Sequence, residues 1–241
     1  MCTVTLAPQG QNSFVLTSNR DEAPGRENLA PTFYNEDGVK LLYPKDSLAG
    51  GTWIGVSEKQ RLICLLNGGF NKHKRKEEYR LSRGVVVKDL LTCEDFKTEV
   101  ASYDLNGVEP FTIVCVEWIE RLRFLELVWD GNKKHVKDLP LEPHIWSSST
   151  LYTASMKQER KLWFETFKKE TALNTSTLLK FHKHAGENND DFGVIMDRGF
   201  VKTTSITQVE KCNHLVTMQY EDLQTSTRTS VVFDFNLIHE K

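Results

Sequence analysis

Leu62-Ile63-Cys64-Leu65-Leu66 places five apolar side chains in succession, with no polar residue among them. A strand with one face in water alternates, so this run predicts a strand covered on both faces. Ser57-Glu58-Lys59-Gln60 stands just before it as a polar turn, and residues 52–56 form a second β-rich run, so the pair reads as a hairpin. Ile113-Val114-Cys115-Val116 repeats the pattern within residues 111–139, which read as three strands with a turn at Asp130-Gly131-Asn132. Upstream, residues 3–6 and 14–18 flank Gln9-Gly10-Gln11-Asn12 as another hairpin. Residues 22–48, rich in Pro, Asn and charge, read as a loop.

Helical spacing runs through residues 77–102. Ser155 with Gln158 fits a capping box, opening a helix whose apolar stripe is Leu162, Trp163, Phe164 and Phe167. A second helix covers 175–184, and strands return near 193–196, 215–219 and 231–235. Strands and helices come in segregated runs, which predicts an α+β fold rather than an alternating parallel one. Two mainly antiparallel sheets, packed face to face with helices outside, would cover the apolar strands. With no linker and no internal repeat, residues 1–241 read as one domain.

Composition narrows the function classes. The 241 residues are 39% hydrophobic, 27% charged and 10% aromatic, which is globular rather than disordered. The 31 basic and 33 acidic side chains leave a net charge of -2, against a nucleic-acid-binding role. No long uncharged apolar run is present, so no stable membrane insertion is expected. The five cysteines are odd in number and form no C-x-x-C pair, which argues against a disulfide framework or a thiolate metal site and for a reduced, cytoplasmic setting. No cofactor motif is found, and oligomeric state cannot be read. The basic run from Lys72 to Arg80 reads as a solvated loop and helix start, with a lid for an acidic ligand as its sharper reading. His182 and His184, two apart on a helix, are poorly spaced for a metal.

Chemistry concentrates at the start of the chain. Cys2 follows the initiator methionine, whose removal would put a thiol and an α-amine on one residue. An amine titrating at about 7.7–8.0 can take a proton from a thiol near 8.5. Ser18-Asn19-Arg20-Asp21-Glu22 is a polar cluster at a strand end. Hairpin pairing alone is expected to leave Asp21 several residues along the ladder from Cys2.

Cys2, Asn19-Arg20-Asp21-Glu22 and Ala49-Gly50-Gly51-Thr52-Trp53-Ile54-Gly55 together resemble the NRDE family, the transport and Golgi organisation protein 2 group. The likeness continues at Leu66-Asn67 and Thr227-Arg228-Thr229-Ser230. It implies a fold similar to N-terminal-nucleophile hydrolases, a four-layer αββα sandwich. It further implies Cys2 as nucleophile, Asp21 holding the α-amine, and Arg20 or Arg228 balancing charge. Asn67 would be the oxyanion donor, Arg228 the arginine that closes the site, and Asn19, Trp53 and Ser148 would meet the substrate. Ser148 stands where the family has Asn, and Ala154 where it has Pro. The implied activity is hydrolysis of a non-peptide C–N bond in a small-molecule substrate. The alternative is a non-catalytic carrier of a small molecule, haem included, on the same fold. Cys2, Asp21, Asn67 and Arg228 are expected to converge on one cleft.

Overall fold

The computed structural model describes residues 3–238, and of Ile238 only the backbone. β1 (Thr3–Pro8) and β2 (Phe14–Glu22) are followed by β3 (Asn28–Glu36), β4 (Val39–Asp46), β5 (Ile54–Ser57) and β6 (Arg61–Asn67). Helices α1 (Arg83–Thr92) and α2 (Phe96–Ser102) lead to β7 (Phe111–Glu117), β8 (Arg123–Trp129), β9 (Lys134–Leu139) and β10 (His144–Ser147). Helices α3 (Ala154–Glu170) and α4 (Thr175–His184) precede β11 (Lys202–Cys212), β12 (Leu215–Asp222) and β13 (Thr227–Asp234). Among the described residues, two antiparallel sheets and four α-helices make the fold α+β, as the segregated pattern predicts. The chain divides into two compact units, one built from its two ends and one from residues 27–140.

The unit of residues 27–140 is a seven-stranded meander in which β3 to β9 lie in chain order. Ile63 and Leu65 of β6, with Ile113, Cys115, Leu125 and Leu127, pack under Val86, Val87, Leu90 and Leu91 of α1 and Phe96 of α2. Leu62, Cys64 and Leu66 are buried as well, so β6 is covered on both faces, as its uninterrupted apolar run requires. Residues 22–48 are not the expected loop, because they hold β3 and β4. Their hairpin turns at Asp37-Gly38, with φ of +52° and +83°, the left-handed pair of a two-residue turn. β3 is an edge strand with mostly exposed side chains, and Pro31 sits at its bulge, so the usual strand signature is absent. Helix begins later than residue 77: Ser82 caps α1 by accepting from the Gly84 N–H. A Cβ on Gly51 would stand 2.5 Å from the Gly84 carbonyl carbon, so the Gly-Gly-Thr-Trp run admits close approach of α1.

In the other unit the strand order is β10-β1-β2-β11-β12-β13. Ala7 and Val15 pack on its helix-bearing face beneath Phe164 of α3 and Leu178 and Phe181 of α4. α4 spans the expected residues. α3 starts at Ala154 with Thr153 as its cap, two residues before the expected Ser155, and Leu162 is exposed while Arg160 is buried. Residues 193–196 form no strand. The longest strand, β11, escapes a hydrophobicity reading because Thr203, Thr204, Ser205, Thr207 and Gln208 fill buried positions. Among the described residues no helix is long and apolar enough to cross a membrane.

Candidate functional site

The site is assembled by the ladder at the start of β1. Thr3 pairs with Asn19 on one side and with Ser147 on the other. β2 continues through Arg20, Asp21 and Glu22, and the chain leaving β10 runs into Ser148. The tetrapeptide is thus strand, not loop, and its first residue, Asn19, pairs with Thr3. β2 therefore runs four residues past Ser18, where the sequence reading had ended it. Cys2 itself lies outside the described residues.

Alternation along β2 turns Thr17, Asn19 and Asp21 towards the helices and Ser18 and Arg20 the other way. Asp21 is buried; its Oδ1 accepts from Thr203 Oγ1 at 2.7 Å and its Oδ2 from the Tyr152 hydroxyl at 2.5 Å. The Arg160 guanidinium lies 3.6 Å from the Tyr152 ring centroid. Arg160 is fully buried and donates to the Phe192 and Gly193 carbonyls at 2.9 and 2.7 Å and to Thr3 Oγ1 at 2.5 Å. One cation therefore fixes Thr3 while packing on the ring whose hydroxyl holds Asp21.

The Asn19 side chain is buried and bonds within the fold. Its Nδ2 donates to the His182 and Val194 carbonyls at 3.0 and 2.6 Å, which orients Oδ1 towards His182 Nδ1 at 2.5 Å. That nitrogen must carry the proton, so Nε2 accepts from Thr5 Oγ1 at 2.8 Å. Burial, aided by the nearby Arg160 charge, pushes the His182 pKa down to about 3 and keeps the ring neutral. Asn19 thereby docks α4 onto β2.

Arg20 is buried on the opposite face, with Nη2 3.4 Å from Glu22 Oε2. Glu22 also accepts from the Ala23 N–H. Ser148 is buried, and its hydroxyl lies 2.9 Å from that of Thr150. Arg228 does not converge on Asp21. It lies on the same face of the sheet, in the row Asn19, Ile206, Glu221, Arg228, but three strands away, about 14 Å at ordinary strand spacing. It is largely exposed and bonds Glu221 at 3.1 Å. Asn67, half-buried at the end of β6, and Trp53, buried ahead of β5, belong to the other unit. Cys64 and Cys115 are fully buried, and burial raises the Cys115 thiol well above its ordinary range.

Sequence reasoning missed Tyr152, Arg160, His182 and Thr203. Two had a signal in helical spacing: Arg160 stands four before Phe164, and His182 four after Leu178.

A family model described as Transport and Golgi organisation 2 matches residues 1–235. The chain belongs to that family. No curated protein matches it. Among solved structures, it is similar to an arginine-to-leucine variant of conjugated bile acid hydrolase from Clostridium perfringens. That match has a TM-score of 0.55 and 10% identity, covering 98% of this chain and 93% of the other. Penicillin V acylase from Agrobacterium tumefaciens matches with a TM-score of 0.54 and 10% identity, over 98% of this chain and 86% of the other. An N-acylethanolamine-hydrolyzing acid amidase orthologue from Caenorhabditis elegans gives 0.57 and 12%, over 86% and 92%. At these identities the likeness shows the fold. This member of the Transport and Golgi organisation 2 family has the N-terminal-nucleophile hydrolase fold that the NRDE resemblance implies.

Proposed function

We propose that the chain is an N-terminal-nucleophile cysteine hydrolase acting on a non-peptide amide bond, with Cys2 as nucleophile after Met1 removal. The observation that supports this is the ladder at Thr3. The residue bonded to Cys2 is gripped by Arg160 and paired with Asn19 and Ser147, so Arg20, Asp21 and Ser148 stand at the strand ends beside it. Asp21 is held by two hydroxyl bonds, and a carboxylate, which accepts at both oxygens, can orient an ammonium or amine.

In this mechanism the α-amine takes the thiol proton and the thiolate adds to the amide carbonyl. Collapse of the adduct returns that proton to the departing amine and leaves a thioester. Water then adds to the thioester, releasing the acid and restoring the thiol. Ser148 offers one hydroxyl to the substrate carbonyl. The roles of Asn67 as oxyanion donor and Trp53 at the substrate rest on the family resemblance. Arg228 is left out, because its partner is Glu221.

A panel of acyl amides tests the reading. Wild type is expected to turn over at least one of them, with roughly 10³-fold loss or more in Cys2→Ser and Cys2→Ala and a clear loss in Asp21→Asn. Full turnover by Cys2→Ala would overturn the mechanism. A haem titration run alongside favours the carrier instead if a Soret band vanishes in Cys2→Ser and survives in Asp21→Asn.

A further inference from the structure

Among the described residues the two sheets end in four edge strands, β3, β9, β10 and β13. An edge offers unpaired N–H and C=O groups to any other strand, and folds usually blunt it. β3 carries Pro31 and a bulge between Leu29 and Thr32, β9 carries Lys134, Lys137 and Asp138, and β10 is only four residues long. β13 is different. Its eight residues follow β12 without a register shift, and Thr229-Ser230-Val231-Val232-Phe233 holds neither charge nor proline.

The ladder fixes which groups face outward. The Phe235 N–H donates to the His214 carbonyl at 3.0 Å, and this pair extends the β12–β13 register by one step. Backbone groups alternate in direction along an antiparallel ladder, so Phe233, Val231 and Thr229 also turn theirs to β12. Arg228, Ser230, Val232 and Asp234 therefore turn N–H and C=O away from the sheet. Apolar surface accompanies them, since Val232 is 49% exposed and Leu215, which pairs with Asp234, is 37% exposed.

We propose that β13 pairs antiparallel with β13 of a second copy of this chain, about a two-fold axis at Val231, joining two six-stranded sheets into one. An axis there sets Arg228 opposite Asp234 of the second copy and Ser230 opposite its Val232. The charge pair then occurs twice, and all four outward-facing residues meet outward-facing residues. An axis at Ser230 or Val232 would put Arg228 opposite Val232 or Asn236 instead. Arg228 bonds Glu221 at 3.1 Å through one nitrogen, and Asp234 accepts from the Asn236 N–H at 2.9 Å. A guanidinium has five donors and a carboxylate accepts at both oxygens, so the pair between copies adds to these bonds. The interface does not depend on the hydrolase reading.

Sedimentation velocity of the full chain over a concentration series tests it, in reductant so that the exposed Cys212 cannot cross-link. Wild type is expected to form a reversible dimer. Ser230→Pro removes an outward N–H and leaves the β12 ladder intact, so it should weaken the dimer roughly tenfold or more with a native circular dichroism spectrum. Arg228→Asp and Asp234→Arg should each weaken it by placing like charges opposite one another. Mixing those two variants should restore association, because in the mixed dimer every pair is again of opposite sign. The proposal is overturned by a wild type that stays monomeric, by a Ser230→Pro dimer as tight as wild type, or by a mixture that associates no better than its components.

Discussion

Arg61 and Arg160 are both completely buried, and the two units hold them in different ways. Arg61 meets a carboxylate: Nε bonds Glu117 Oε1 at 2.9 Å, while Nη1 and Nη2 donate to the Leu90, Cys93 and Glu94 carbonyls. It ties β6 and β7 to the C-terminal end of α1, where a cation is favoured by the helix dipole. Arg160 has no carboxylate partner among the described residues; its donors end on two carbonyls and on Thr3. Around Arg61 the interior is an apolar core closed by the Glu117 carboxylate, which Arg123 also approaches at 3.7 Å. Around Arg160 it is polar. Seventeen polar or charged residues are buried in that unit against six in the other, among the described residues. Such a concentration lowers stability unless each group is satisfied, so it marks the region where side-chain positions matter most.

The sharpest way to break this contrast is to remove each arginine. Arg61→Met leaves the Glu117 carboxylate only its longer 3.7 Å pair with the partly exposed Arg123 and should cost about 3–5 kcal/mol in urea unfolding, most of it recovered by adding Glu117→Leu. Arg160→Met strands no acid and should cost less, about 2–4 kcal/mol, yet lower turnover because Thr3 is released. Equal turnover in the two variants would erase the distinction.

His182 sharpens it through pH. Its folded pKa lies below the ordinary value, so between about pH 6.5 and pH 3 the unfolded chain binds a proton that the folded chain refuses. Stability should therefore fall as pH falls, by about 1.4 kcal/mol per pH unit from this group. Unfolding curves between pH 7 and pH 5 should show the slope in wild type and lose that part of it in His182→Gln. An unchanged slope would mean that His182 charges within the fold. The smallest effect is expected at Arg228, whose exposed pair with Glu221 should leave stability within about 0.5 kcal/mol in Arg228→Gln.

Where hydrophobicity sets structure, the sequence was readable. Leu62-Ile63-Cys64-Leu65-Leu66 announced a doubly covered strand, and residues 175–184 announced α4. Where polar groups fill the interior, it was not. β11 hides behind Thr203, Thr204, Ser205, Thr207 and Gln208, whose burial depends on partners far along the chain. Arg20, Asp21 and Ser148 were singled out by motif position, and the strand register brings all three near Thr3 at the start of β1. The docking of α4 by Asn19 was not legible because its three hydrogen-bonded contacts come from residues over 160 positions away. The separation of Arg228 from Asp21 was not legible because motif matching carries no strand order, and three strand spacings lie between them.

The nucleophile is tested most directly by mass spectrometry of the purified full chain after a brief iodoacetamide pulse. The expected result is the mass of residues 2–241, with the first label on Cys2 ahead of the exposed Cys212 and the half-buried Cys93. Retained Met1, or first labelling at Cys212 or Cys93, would contradict an N-terminal cysteine nucleophile.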